Sequence, residues 1–341
     1  MTAKIVFAAN QGDIGGGEVM LLHLATAARE FHVDVEVVAP SASPVADLLS
    51  QAGFRVHGLG STRREYLLAL PRFARATPGL LWCNGLGPAL TTAGRRNRVV
   101  HLHQTPSGRH AVAARLARSR ARAVVVPSRS SALHVPGARV LANWTSEVVP
   151  EPRSQGDVQP VIGFLGRPSV AKGVVVLAEA ISLLARRSDP APRLLLAGES
   201  HFVDPEEQAS VGVALGRIDH LCVRQGWTSP SRFFGQVDLA VFPSIVPESF
   251  GLVAAEAMSA RVPFVVSDAG ALPEVAGAEH PWIARSGDAD ALADTIEAAL
   301  CSPPGQTAHA VASARERWEA HFSPVAGHAR LGALLRDLGL I

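Results

Sequence analysis

Two glutamates, Glu248 and Glu256, stand eight positions apart in the string VPESFGLVAAEAMSARVPFV, residues 246–265. One precedes an alanine-rich run and the other lies inside it. If a helix starts near Gly251, Glu256 falls about 7.5 Å along its axis at the usual rise per residue. That is near the offset between a bound diphosphate and its ribose, and a carboxylate there can accept two hydrogen bonds from ribose hydroxyls. Glu248, ahead of the helix, then reaches hydroxyls on the other side of the diphosphate, where a sugar fits. A second loop, GRPSVAKG, is bracketed by Arg167 and Lys172. Two cations beside helix-terminal amides can neutralise a diphosphate. Lys172 is one of only two lysines, the other being Lys4, against thirty arginines. A cation at a helix start opposes the helix dipole, so its placement points to an anionic ligand more than to a solvated surface. The spacing of the two glutamates weighs little by itself, because the chain has 30 acidic residues in 341.

The elements that must position these groups follow from hydrophobic periodicity. KIVFAAN reads as a buried strand, QGDIGGGE as a glycine loop, VMLLHLATAAREF as an amphipathic helix and VDVEVVAP as a second strand. This β-loop-α-β unit opens a parallel, helix-covered sheet. LLWCN, RVVHLH and AVVVPS are spaced as later strands. The polar, proline-containing stretch Ser146–Pro160 reads as an interdomain linker. The opening pattern then returns: VIGFLG as strand, RPSVAKG as loop, VVVLAEAISLLARR as helix, RLLLAG as strand, with HLCVRQGW, LAVFPS and PFVVSD continuing the sheet. Two tandem Rossmann-like domains, 1–150 and 151–320, are expected. Their ligands should lie at the carboxyl ends of the strands and in the cleft between facing domains. Gly15–Gly17 is expected to allow positive φ and close backbone approach, favouring phosphate; a structural turn is the alternative. Neither a GK[ST] ending nor GxGxxG is present, which disfavours a Walker loop and nicotinamide binding.

Composition bounds the rest. Hydrophobic residues make up 48 % and charged residues 18 % of the chain, so it is globular. No run approaches 18 apolar residues, so no transmembrane helix is expected. The apolar run after Met1-Thr-Ala-Lys is too short for a signal-peptide core, which points to the cytoplasm. Cys83, Cys222 and Cys301 lack CxxC spacing and read as reduced thiols. Residues 60–122 hold twelve arginines and one acid, Glu65, about +11 in a chain of net charge +2. Such asymmetry suits an anionic partner, with solvated arginine faces as the alternative; no nucleic-acid partner is expected. Asp288-Ala-Asp290 precedes ALADTIEAAL, so N-capping explains it better than metal binding. His101 and His103 alternate and share a strand face, without a nearby acid or cysteine. No metal is expected.

The string around the two glutamates resembles the retaining glycosyltransferases of family 4, which have the GT-B fold. The matching block is Pro243-Ser244, Glu248-Ser-Phe-Gly and Glu256-Ala-Met258. GGGE looks like the family's glycine loop, GFLGRPSVAKGV like its GR…KG segment, and LLLAGES like the strand before its Gly-Asp-Gly turn. SDAGALPEVAG looks like the GG-x-PE loop, with Ala271 in place of the second glycine. The N-terminal half is short for the family, and Asp13-Ile14 stands where many members have a proline-rich entry.

This resemblance implies roles residue by residue. Arg167 and Lys172 bind the donor diphosphate, and Glu248 contacts the donor sugar. The amides of Phe250, Gly251 and Leu252 meet sugar and phosphate. Glu256 holds the ribose, Gly226-Trp227 packs the base, and Gly16 and Gly17 belong to the donor-side glycine loop. His103 looks like the histidine beside the reacting sugar, with His101 as its rival. The run HARLGALLRDLG, within 321–341, resembles the terminal helix that crosses back to the first domain. The activity implied is retaining, metal-independent transfer from a nucleoside-diphosphate-sugar, without a cofactor, in a bacterial enzyme. Its acceptor is unidentified, with anionic and lipid-linked acceptors and a peripheral contact at the inner membrane face as expectations. A GT-B phosphorylase or epimerase, or a non-catalytic nucleotide-sugar-binding subunit, is the alternative.

Overall fold

Each strand pairing in the structure is parallel, so each neighbour must be reached by a crossover, which helices supply. This is a computed structural model that describes residues 3–106, 108–153, 159–199 and 204–341. The chain forms two compact units, Met1–Trp144 with Val325–Ile341, and Thr145–Pro324.

In the first unit the chain runs through β1 (Lys4–Ala8), α1 (Gly16–Glu30), β2 (Asp34–Ala39), α2 (Pro44–Gln51), β3 (Arg55–Gly58), α3 (Arg63–Ala76), β4 (Leu80–Asn84), α4 (Leu86–Thr91), β5 (Arg98–His101), α5 (Gly108–Ala117), β6 (Ala123–Val126), α6 (Arg129–His134) and β7 (Arg139–Val140). In the second it runs through β8 (Val161–Leu165), α7 (Val174–Arg187), β9 (Arg193–Ala197), α8 (Pro205–Gly216), β10 (Cys222–Gly226), α9 (Pro230–Phe234), β11 (Leu239–Phe242), α10 (Leu252–Ala260), β12 (Phe264–Ser267), α11 (Leu272–Ala276), β13 (Ile283–Ala284), α12 (Ala289–Leu300) and α13 (Pro304–His321); α14 (Pro324–Asp337) follows. The first sheet is ordered β3-β2-β1-β4-β5-β6-β7 and the second β10-β9-β8-β11-β12-β13.

The strands read as unbroken apolar runs because both sheet faces are covered. The pleat sends Ile5, Phe7, Val37, Trp82, Val99 and Val125 into one core with α1 and α2. Val6, Ala8, Val38, Leu81, Cys83 and Val100 enter the other, against Tyr66 and Leu70 of α3 and Ala114 and Ala117 of α5. In the second unit Ile162, Phe164, Leu194, Leu196, Val241 and Val265 pack with α7, α8 and α12.

The C-terminal helix completes the first unit. Leu331, Leu334, Leu335 and Leu338 join its first core. Arg330 donates to the Ala142 carbonyl at 3.1 Å, His328 meets Glu30 at 2.8 Å, and Arg139 pairs with Asp337. The stretch read as an interdomain linker is hydrogen-bonded and ion-paired to the second unit. Val148 donates to Ser259 Oγ, Glu147 pairs with Arg315, Glu151 donates to the Ser231 carbonyl and Arg153 pairs with Asp238. The second compact unit begins at Thr145, and residues 154–158 of that stretch lie outside the described residues. Prolines remove amide donors, but side-chain anchors replace them here.

The arginines of 60–122 divide into two groups. Arg98 is fully buried and donates to the carbonyls of Arg95, Ala89, Ala117 and Ser119. Arg63, Arg95, Arg118 and Arg122 also donate to carbonyls, those of Asn10, Ala74 with Thr77, Pro136 and Leu338. Arg64, Arg72, Arg75, Arg96, Arg109, Arg115 and Arg120 are exposed. Arg115 lies in α5, which ends at Ala117, whereas Arg118 beyond it is engaged with Pro136. No helix among the described residues is long and apolar enough to cross a membrane.

Replacing Arg98 with methionine keeps much of its bulk and takes the guanidinium from four carbonyls, of which only that of Ser119 keeps another donor outside helix and strand, Gly94 N. Unsatisfied buried acceptors cost about 1–3 kcal/mol each before relaxation, so Arg98→Met should lower stability by roughly 2–4 kcal/mol in urea unfolding. A loss below about 0.5 kcal/mol, the range of ordinary surface substitutions, would show that the carbonyls find other partners.

Candidate active site

The loop after β8 and the loop after β11 lie on adjacent strands and are sewn together by the backbone. Ile245 donates to the Ala171 carbonyl at 3.0 Å, and Ala171 donates to Glu207 Oε1 of α8 at 3.2 Å. Lys172 N donates to Ser169 Oγ at 3.2 Å. Gly173 closes the loop at φ 75°, and a Cβ there would strike the Pro243 carbonyl oxygen. Only glycine combines that backbone with that approach.

This stitching brings Lys172 onto Glu248. Lys172 Nζ lies 2.5 Å from Glu248 Oε1, and Ser244 Oγ donates to the same oxygen at 2.5 Å. The sequence placed Lys172 on a diphosphate and Glu248 on a sugar as separate contacts; in the structure they form one ion pair. Glu248's backbone is held as well. Its carbonyl accepts from Ala271 N at 2.9 Å, and it bridges to Gly270, whose φ of 63° leaves no room for a Cβ against Glu248. The serine is a participant that the sequence reading quoted without a role. Its position four residues before Glu248, directly after β11, is the signal that marks it.

The second unit also holds the other residues that the sequence singled out. α10 begins at Gly251 without a side-chain cap, so its first amides stay available. Phe250 is 3 % exposed and packs edge-on against Phe322 at 5.4 Å, which leaves it only backbone groups to offer. Leu252 is the first residue of α10. Glu256, in the second turn, is half-buried and has no hydrogen-bond partner among the described residues. Burial pushes its carboxyl up to about 7. Arg167 is exposed, with no ion-pair partner among the described residues. Gly226 ends β10 at φ 70° and accepts from Gly198 N at 2.6 Å; Trp227 beyond it is 77 % exposed.

A second constellation occupies the carboxyl ends of β1, β4 and β5 in the first unit. Asn84 Nδ2 donates to the Gly17 carbonyl at 2.8 Å, which turns its Oδ1 toward His103 Nε2 at 2.8 Å. His103 therefore carries its proton on Nε2, and Nδ1, unpartnered among the described residues, keeps its lone pair. Burial lowers the His103 pKa to about 4, so the ring is neutral near pH 7. His101, by contrast, is fully buried at the end of β5, 3.9 Å from the His103 ring between centroids. Exposure thus distinguishes the two histidines.

The glycine loop differs from expectation. None of Gly15, Gly16 and Gly17 adopts positive φ. Gly15 is extended, Gly16 and Gly17 start α1, and a Cβ on Gly17 would touch the His103 ring at 3.4 Å. The glycines allow close approach of a histidine. The Glu18 carboxyl lies against this turn, 3.4 Å from where a Cβ on Gly15 would stand, so the turn faces an acid of its own helix. Burial dominates there and raises Glu18 to about 7. Asp288 caps α12 by accepting from Ala291 N at 3.0 Å. Among the described residues no three His, Cys, Asp or Glu side chains converge as a metal site.

Comparison with known proteins places this geometry. The family model "Glycosyl transferase 4-like domain" matches residues 15–193, and "Glycosyl transferases group 1" matches residues 159–302. A D-inositol 3-phosphate glycosyltransferase of Mycobacterium marinum is 29 % identical over 206 residues, 59 % of this chain and 41 % of that protein. A phosphatidyl-myo-inositol mannosyltransferase of Mycobacterium leprae is 33 % identical over 151 residues, 40 % of this chain and 36 % of its own. The chain spans less than half the length of these curated relatives. Among solved structures, Anabaena HepE in complex with UDP-glucose aligns with TM-score 0.82 at 21 % identity, covering 98 % of this chain and 99 % of that one. The sucrose-phosphate synthase of Thermosynechococcus elongatus aligns with TM-score 0.80 at 19 % identity, covering 98 % and 99 %. The fold is that of GT-B glycosyltransferases, two parallel-sheet Rossmann-like domains.

The raised carboxyl of Glu256 has a stability signature. A group whose folded pKa exceeds its unfolded value binds more protons when folded, so stability falls as pH rises between them. For Glu256 that window runs from 4.5 to about 7. Glu256→Gln removes this contribution. Relative to the variant, the wild type should lose stability through the window at up to about 1.4 kcal/mol per pH unit. Parallel stability–pH curves for the two proteins would place the carboxyl at an ordinary pKa.

Proposed function

This chain belongs to the glycosyl transferases with a 4-like domain, and from that premise we propose that it moves a glycosyl unit from a nucleoside-diphosphate-sugar to an acceptor hydroxyl, with retained anomeric configuration and without a metal. The observation that carries this reading is the Lys172–Glu248–Ser244 cluster, set beside the uncapped start of α10 and the unpartnered Glu256 in the second unit. In this reading the diphosphate meets Arg167, Lys172 and the α10 amides near Phe250, Gly251 and Leu252. Glu248 accepts from the sugar's hydroxyls and Glu256 from the ribose, and the base stacks on Trp227 beside Gly226.

As the bond from the anomeric carbon to the phosphate oxygen breaks, the new bond to the acceptor oxygen forms on the same face. The departing phosphate takes the acceptor proton. Cationic side chains and helix amides stabilise the charge that develops on the diphosphate, which is the part a metal would otherwise play. Release of free nucleoside diphosphate only when acceptor is present distinguishes this reaction from the alternatives. An epimerase turns over without acceptor, a phosphorylase needs inorganic phosphate, and a binding subunit releases nothing.

The exposed arginines of residues 60–122 suit an anionic acceptor at the cytoplasmic face of a bacterial membrane. The names of the inositol-phosphate and phosphatidylinositol relatives favour the same class.

Two measurements test the site. Lys172→Ala and Arg167→Ala should each weaken nucleoside-diphosphate binding by roughly 1.5–3 kcal/mol, as expected for lost charged hydrogen bonds. Glu256→Ala should weaken the bare nucleotide too, whereas Glu248→Gln should spare it and lower turnover. Unchanged affinity in both cation variants, by calorimetry, removes the clamp. A reversed pattern for the glutamates exchanges the two ends of the donor.

The arginine surface gives a separate test. Exposed charges act over about 8 Å at physiological salt. Acceptor KM, or binding to anionic vesicles, should worsen steeply as salt rises while donor binding changes less. A salt-independent KM together with no vesicle binding returns these arginines to solvated surface.

A further inference from the structure

We propose that Ser244 is a positioning residue that keeps the Glu248 carboxylate in place when Lys172 turns to the donor diphosphate, a role that rests on Glu248 meeting the donor sugar.

Two donors converge on Glu248 Oε1, the Lys172 ammonium and the Ser244 hydroxyl, each at 2.5 Å. A carboxylate only accepts, so the serine proton must point at it, and a hydrogen bond to a charged acceptor is the strong kind. The two donors differ in how firmly they are held. The Lys172 side chain is 34 % exposed on a flexible four-carbon stem, and an arriving diphosphate competes for it directly. Ser244 is 3 % exposed and has one short side chain. Its backbone is pinned by two further serines: the Ser244 carbonyl accepts from Ser267 Oγ at 2.6 Å and from Ser286 Oγ at 3.1 Å. Ser286 N in turn donates to Asp268 Oδ1 at 2.7 Å.

Once Lys172 moves to phosphate, Glu248 loses its counter-charge and faces a diphosphate of its own sign. Its backbone stays fixed through Ala271 and Gly270. The carboxylate, however, is free to rotate away unless something still holds Oε1. Ser244 is the donor left, and it satisfies one oxygen while Oε2 remains open to a sugar hydroxyl. The serines at the carboxyl ends of β11, β12 and β13 thus make the sugar contact independent of the Lys172 ion pair.

Crystal structures of Lys172→Ala and of Lys172→Ala/Ser244→Ala test this without any ligand. The single variant should keep Glu248 on Ser244, and the double variant should lose that conformer. Departure of Glu248 in the single variant, or its retention in the double, overturns the proposal. Function is read with UDP and UDP-glucose, and with the GDP and ADP pairs, by calorimetry. Ser244→Ala should weaken the sugar donor about tenfold, the scale of a lost charged hydrogen bond, while leaving the bare diphosphate within about twofold. In a Glu248→Gln background the same substitution should add almost nothing. Equal losses for diphosphate and sugar donor, or full additivity with Glu248→Gln, would mean a structural serine and overturn the role. If Glu248→Gln itself leaves sugar-donor affinity and turnover unchanged, the assignment of Glu248 to the sugar fails instead.

Discussion

A parallel sheet can open a binding site at its carboxyl edge only where the strand order reverses, because there two neighbouring strands send their loops to opposite faces. In the second unit this point lies between β8 and β11. The loop after β8 carries Lys172, and the loop after β11 carries Ser244 and Glu248. In the first unit the reversal lies between β1 and β4, and there Gly17 and Asn84 meet, with His103 joining from β5. The same topological constraint has been given different chemistry in the two units. One edge gathers charge, and the other holds a neutral imidazole.

Environment separates residues of one type into different tasks. Glu248 is paired with a lysine and a serine, whereas Glu256, eight residues later, has no partner among the described residues and is pushed up to about 7 by burial. A paired carboxylate is held in one place, and an unpaired one stays available to hydroxyls that arrive with a ligand. The arginines divide likewise. Arg98 is buried among carbonyls that accept all its reach, so its charge is structural. The exposed arginines without such bonds keep their charge for solvent or a partner. A net charge summed over the segment cannot distinguish these cases, because a guanidinium counts the same whether buried or free.

Much of the fold was legible as periodicity. Because both sheet faces are covered, the central strands are continuous apolar runs bounded by glycine, proline or polar turns, and α7 spans the very residues, 174–187, whose periodicity marks it. Edge elements were harder to see. β3 is Arg-Val-His-Gly, and β7 and β13 have two residues each, too short for any period. The packing of the linker was hidden for a related reason. Prolines and polar residues look alike in a free tether and in a segment strapped to a domain, and only contacts such as Val148 with Ser259 tell them apart.

What the sequence determined by itself was the inventory: two lysines in the whole chain with one of them in a loop, two carboxylates around a helix start, and two histidines on one strand face. Residue type and local spacing decide those, because they depend on neighbours within a turn or a pleat. Tertiary structure alone decided the partnerships. Lys172 reaches Glu248 across 76 residues of chain, and His103 is oriented by Asn84 19 residues away, itself oriented by Gly17 67 residues further back. Such contacts have no local period to betray them. They exist because sheet order, loop stitching and glycines without room for a Cβ bring distant carboxyl ends to one place.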